Sequence, residues 1–113
     1  MHEMSICDGI LKSAVEAAEA EGATRINRVD VTFGELTQIV EDALQFAFEV
    51  LRKDTMAADA TLGITILEAR SRCMDCEAEF RHDRYEVKCP ECGSYICSLV
   101  QGRELHIDSI DVD

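Results

Sequence analysis

Between Met4 and Glu21 the apolar residues Ile6, Ile10, Leu11, Ala14, Val15, Ala17 and Ala18 recur at helical spacing, and Gly22 follows where a left-handed cap ends a helix. From Ile26 to Phe33 the period changes to two, with Val29, Val31 and Phe33 on one face and Asp30 and Thr32 on the other. That alternation predicts a half-buried strand. Gly34 breaks it, and a second helix is expected from about Glu35 to Lys53, burying Leu36, Ile39, Val40, Ala43, Leu44, Ala47 and Leu51 and closing on Arg52 and Lys53. Leu62, Ile64 and Ile66 alternate with Thr61, Gly63 and Thr65 as a second strand. After Gly102, Leu105 and Ile107 alternate until Ile110 and Val112 resume in the opposite phase. A bulge near Asp108-Ser109 would reconcile the slip.

One segment lies outside this pattern. Cys73-Met74-Asp75-Cys76 and Cys89-Pro90-Glu91-Cys92-Gly93 are two C-x2-C pairs with twelve residues between them, the spacing of two knuckles that converge on one tetrahedral ion. Four thiolates predict a structural Zn(II) site, and Pro90 and Gly93 suit a tight knuckle. A disulfide pair or a thioredoxin-like redox centre is the competing reading. No secretory leader points to an oxidising compartment, and neither pair sits at the strand-to-helix junction of a βαβ unit. The expected fold is α/β: two helices packed on a small three-stranded sheet, with an inserted zinc-ribbon-like module. Residues 1–69 and 98–113 form the core, and residues 70–97 form the zinc-binding module.

Composition narrows the partners. Eleven Lys and Arg against twenty-three Asp and Glu leave a formal charge of −12 over 113 residues. Many zinc ribbons bind nucleic acid, but residues 70–97 carry five basic and six acidic side chains and no basic stripe, so DNA and RNA are excluded as partners. No apolar run approaches the roughly 18 residues of a membrane span, and a soluble cytoplasmic protein is the expectation.

The chain opens Met1-His2-Glu3. Histidine is too large for efficient removal of the preceding methionine, so Met1 is expected to remain, with its amine one residue from an imidazole. The amine, the His2 backbone amide and the His2 ring make a nitrogen-rich chelate of the kind that favours Ni(II) or Cu(II) over Mg, Ca or tetrahedral Zn. The competing reading is a disordered end with an incidental histidine.

In combination these features resemble the HypA/HybF family of nickel-insertion accessory proteins. The resemblance spans the whole chain and rests on Met1-His2-Glu3 with Ser5, on Val29-Asp30-Val31-Thr32-Phe33-Gly34-Glu35-Leu36, on the two C-x2-C pairs and on the closing hydrophobic strand. It implies transient Ni(II) bound at Met1 and His2 with Glu3 implicated beside them, and structural zinc on Cys73, Cys76, Cys89 and Cys92. It also implies a nickel-binding GTPase partner and the NiFe-hydrogenase large subunit precursor as recipient, with urease service open and either a monomer or a homodimer. A zinc-ribbon adaptor that docks a partner without carrying nickel is the alternative. An enzyme is not expected: there is no Gly-rich phosphate loop, and a zinc closed by four cysteines has no open position for substrate.

The other polar candidates have plain readings. Glu3 can equally serve as a favourable charge in the first turn of a helix. Glu41 and Asp42 read as a solvated acidic face, His82 as a loop residue between the knuckles, and His106 as a solvent-facing strand residue. Cys7 reads as a buried free thiol one turn after Glu3, and Cys97 as a neighbour able to substitute for a zinc ligand. Neither cysteine belongs to the family pattern.

Overall fold

The computed structural model describes residues 2–113. In chain order the elements are α1 (Glu3–Ala20), β1 (Ile26–Gly34), a 3-10 turn (Glu35–Thr37), α2 (Glu41–Leu51), β2 (Thr61–Leu67), β3 (Arg70–Cys73), β4 (Glu79–Arg81), β5 (Cys97–Gln101) and β6 (Leu105–Val112). Two three-stranded sheets result, ordered β2-β1-β6 and β4-β3-β5. The fold class is as expected from the pattern, with one addition: the inserted segment builds a sheet of its own.

The chain forms two compact units, one comprising the chain up to Thr32 with Ile39–Thr65 and His106–Asp113, the other Phe33–Gln38 with Ile66–Leu105. In the first, α1 buries Cys7, Ile10, Leu11, Ala14 and Ala18, α2 buries Leu44, Ala47 and Phe48, and β1 contributes Ile26, Val29 and Val31. The core face of α1 follows the expected stripe at Ile10, Leu11, Ala14 and Ala18, with Cys7 joining it, Ile6 and Val15 half-buried and Ala17 exposed, and β1 buries Val29, Val31 and Phe33 as its alternation predicts. Gly22, at φ 72°, ends the α1 segment, and Ala23 N–H reaches back to the Ala18 carbonyl. Thr32, on the polar side of β1, is nevertheless buried, and its hydroxyl donates to Asp108 on β6.

The second helix departs from expectation. It begins at Glu41, not Glu35, because the preceding residues find better partners outside a helix. Glu35 takes the Ala69 N–H on its carboxylate at 2.8 Å, Leu36 N–H donates to the Gly102 carbonyl, and the Thr37 hydroxyl donates to Gly34. Gln38 then turns left-handed at φ 60°. Thr37, Ile39 and Val40 are β-branched, which weakens the helical alternative. The displaced start rotates the face that is buried: Val40 is 56% exposed, while Phe48, absent from the expected stripe, is 1% exposed. The helix also ends earlier, at Leu51. Arg52 is its C-terminal cap, and the guanidinium donates to the Ala60 carbonyl.

Along the strands, Leu62 is buried but Ile66 and Leu105 are exposed. In β6 the half-buried positions are Ile107, Ile110 and Val112, so the phase slips between Ile107 and Ile110 within one strand. No described helix is long and apolar enough to cross a membrane.

The second unit has little apolar substance. Its buried cluster is Cys73, Phe80 and Cys89, with Ala78, Val87 and Cys97 packed against it. Strand β3 is its centre, pairing antiparallel with β4 through Ser71 and Phe80 and with β5 through Cys73 and Cys97. The register to β5 shifts between Arg70 and Ser71, where the ladder skips Val100.

Candidate metal centres

The two C-x2-C segments fold as near copies. In each, the first cysteine's carbonyl accepts from the residue four positions on: Glu77 N–H to Cys73 and Gly93 N–H to Cys89, both at 2.9 Å. In each, that cysteine's N–H donates to the residue five positions on, Cys73 to Ala78 and Cys89 to Ser94, again at 2.9 Å. The residue that closes each knuckle is left-handed, Glu77 at φ 64° and Gly93 at φ 78°.

This geometry brings the Sγ atoms of Cys73, Cys76, Cys89 and Cys92 within 4.8 Å of one another. Cys73 and Cys92 stand 3.5 Å apart, and Cys76 and Cys89 3.4 Å. A tetrahedron with Zn–S bonds of about 2.3 Å has S···S edges of about 3.8 Å, so the four sulfurs suit that metal and geometry. All four are free thiols, well beyond disulfide length. Donor set and spacing both fit a closed site of four thiolates.

The thiols do not share charge equally. The backbone N–H of Cys76, followed by that of Asp75, lowers Cys73 to about 6 despite its burial. Cys76 is pushed up to about 12: the Ala78 N–H pulls it down, but hydrogen bonding with Cys89, desolvation and the other cysteines outweigh it. Cys92 is also raised, against the Ser94 N–H, by Cys73 and by burial.

The remaining two cysteines are not among these four, although Cys97 packs against Cys73 and Cys89. Cys97 pairs with Cys73 across the β3–β5 ladder, but its Sγ points to the Ser94 carbonyl at 3.8 Å. Burial, then the charges of Cys73 and Cys89, push its thiol up. Cys7 is fully buried among the α1 core residues and is raised to about 11, by desolvation first and by Asp8 second. It is the buried free thiol the sequence suggested.

At the other candidate site, Met1 lies outside the described residues. His2 is the N-cap residue of α1 and is exposed, its carbonyl accepting from Ile6 N–H at 3.1 Å and from the Ser5 hydroxyl at 3.0 Å. Ser5, quoted above only as part of a motif, thus anchors the His2 backbone. Glu3 is 6% exposed, and its Oε2 accepts the Val40 N–H at 3.0 Å. The carboxylate therefore does more than sit in a helix's first turn: it caps the segment that leads into α2. Nothing local in the sequence signals a bond across 37 positions. Glu41 and Asp42 are exposed in the first turn of α2.

The two other histidines have partners of their own. His82 contacts the Ser71 hydroxyl through Nε2 and the Asp83 carbonyl through Nδ1, both at 2.7 Å, and is no fifth member of the thiol cluster. His106 faces solvent, 3.0 Å from Asp108.

Comparison with known proteins gives this arrangement its context. The family model described as hydrogenase/urease nickel incorporation, metallochaperone, hypA matches residues 1–112. A hydrogenase maturation factor HypA from Chlorobium luteolum is 42% identical over 113 residues, covering 100% of this chain and 97% of its own. One from Dehalococcoides mccartyi strain 195 is 36% identical, covering 100% and 95%. The solution structure of the Ni metallochaperone HypA from Helicobacter pylori superimposes with a TM-score of 0.69 at 28% identity, covering 99% of this chain and 97% of that one. The knuckles, the thiol cluster and the whole-chain match lead to one assignment: this chain belongs to the HypA family of hydrogenase/urease nickel-incorporation metallochaperones, maturation factors and not enzymes.

Proposed function

We propose that this protein carries Ni(II) at its N-terminus, on Met1 and His2 with Glu3 as part of the site, and delivers it during NiFe-hydrogenase maturation. The observation that carries the reading is the exposed His2 imidazole at the head of α1, beside a buried Glu3 whose carboxylate is tied to Val40. A cargo site has requirements opposite to those of a structural one. It needs solvent access and few protein ligands so that the ion leaves by ligand exchange, and nitrogen donors at a chain end supply both. The net charge of −12 raises the local concentration of cations around the carrier.

Zinc is the resident metal in this reading, closed by Cys73, Cys76, Cys89 and Cys92. The module at residues 70–97 has a buried cluster of only three side chains, so metal ligation supplies its folding energy. Bound zinc acts there as a structural ion with no open position. Residues 1–69 and 98–113 are the nickel-carrying core. The partners are a nickel-binding GTPase of the pathway and the hydrogenase large subunit precursor, met in the cytoplasm; urease maturation is a further destination.

The test is a nickel titration of untagged, zinc-loaded protein, read by visible absorption and metal analysis, beside the same chain with one residue added before Met1. Binding near one nickel per chain that is lost on extension supports the N-terminal chelate. Equal binding by both forms moves the cargo to internal side chains, and no binding by either leaves a zinc-ribbon adaptor as the better account.

A further inference from the structure

A cavity of about 620 Å³ lies within the second unit and has no part in either metal site described above. Its volume is in the range of small-molecule sites. Its charge is unlike that of the chain as a whole. The protein has about two acidic side chains for each basic one, yet the cavity is lined by Arg84 and Arg103 against Asp83 alone.

The single carboxylate is already committed. Asp83 Oδ1 accepts the N–H groups of Tyr85 at 2.8 Å and Glu86 at 3.0 Å, and those two bonds, Glu86 first, hold its carboxyl below the usual range. Arg84 is fixed by neutral groups: its guanidinium donates to Gln38 Oε1 and to the Tyr85 hydroxyl, and it lies 4.6 Å from the centre of the Tyr85 ring. No described carboxylate pairs with Arg84 or Arg103. The cavity also holds buried Ser71 (2% exposed) paired with the half-buried His82, and apolar lining from Leu36, Val87 and Leu99.

A guanidinium is a planar fork of donors that matches the two oxygens of a carboxylate or phosphate, and it cannot be neutralised by losing its proton. Two such groups around a partly apolar hollow repel a metal cation and attract an anion with a carbon skeleton. The geometry points to a binding site for a small organic anion, one bearing a carboxylate or phosphate that Arg84 and Arg103 receive. The site is independent of the nickel chelate and stands whether or not nickel binds at the N-terminus.

The test uses the full zinc-loaded, nickel-free chain, labelled with ¹⁵N, titrated separately with glutarate and with phenyl phosphate to about 10 mM, where a millimolar site is mostly filled. The arginine Nε–H signals of Arg84 and Arg103 are expected to shift saturably with at least one of the two, which also identifies the preferred head group. Arg103→Gln, at an exposed residue with no ion pair, is expected to bind about tenfold more weakly, the loss of one charge-assisted contact. Arg103→Lys is expected to recover part of it. The inference is overturned if neither anion gives a saturable shift, if sodium chloride at equal ionic strength gives the same shifts, or if the double variant Arg84→Gln/Arg103→Gln binds as tightly as the parent. Binding of an oligoglutamate peptide without binding of either small anion also overturns it, in favour of a protein-docking surface.

Discussion

Exchanging the residues that close the two zinc knuckles tests how local backbone strain reaches the metal site. Gly93 stands at φ 78° and its counterpart Glu77 at φ 64°, with identical 2.9 Å hydrogen bonds around them. A Cβ added at Gly93 meets nothing nearer than Lys88 Cε at 3.6 Å, so Gly93→Ala is a change of backbone energy with almost no steric part. An L-residue in the left-handed region costs about 1–2 kcal/mol, and replacing glycine returns about 0.4–1 kcal/mol through the unfolded chain. The net loss is about 1 kcal/mol. Because folding of the module is coupled to ligation, that loss appears as zinc affinity about fivefold weaker. Glu77→Gly, at an exposed position, reverses the two contributions and is expected to hold zinc up to about fivefold more tightly than the parent. Competition with a chromophoric chelator at fixed pH under reducing conditions measures both. Unchanged affinity in Gly93→Ala, or a marked loss in Glu77→Gly, would refute the knuckle argument.

Other substitutions separate the remaining roles. Glu3→Gln keeps an oxygen acceptor for Val40 N–H and should bind nickel with the parent's visible spectrum, while Glu3→Ala should bind more weakly; an altered spectrum in Glu3→Gln would make the carboxylate a ligand. Zinc binding should strengthen with pH between about 6 and 8, because the thiols of Cys76 and Cys92, among the four ligands, must each give up a proton on ligation, so log affinity should rise by at least about two per pH unit. A slope below one in buffered titrations would contradict that count. Cys7, buried and raised to about 11, should resist iodoacetamide at about pH 8 until the protein unfolds, with mass spectrometry of the alkylated peptide as the readout. Leu44→Ala, at a fully buried position, should destabilise the first unit by about 2–5 kcal/mol in thermal or denaturant melts.

Much of this protein is local and was therefore legible in one dimension. The stripe of α1 and the alternation of β1 follow from a periodicity that any short window contains. Each pair of sulfurs is set by a knuckle closed by hydrogen bonds four and five residues long, so the two C-x2-C spacings already mark the four donors. The proposed N-terminal chelate likewise rests on adjacent residues, Met1-His2-Glu3.

Tertiary structure decided what depends on distant partners. Residues Glu35 to Val40 read as helix on their own, but Gly102, Ala69 and Glu3 supply hydrogen-bond partners that a continuous helix would forgo, so the chain breaks at Gln38 and restarts at Glu41. That break exposes Val40 and buries Phe48, reversing the two against the expected stripe. The sheet β4-β3-β5 carries no local signal, because its strands, Arg70–Cys73, Glu79–Arg81 and Cys97–Gln101, are short, mixed in character and held by each other and the knuckles more than by any alternation. Hydrogen bonds across tens of residues are chosen by which groups the folded chain leaves unpaired, and that competition exists only once the whole chain is packed.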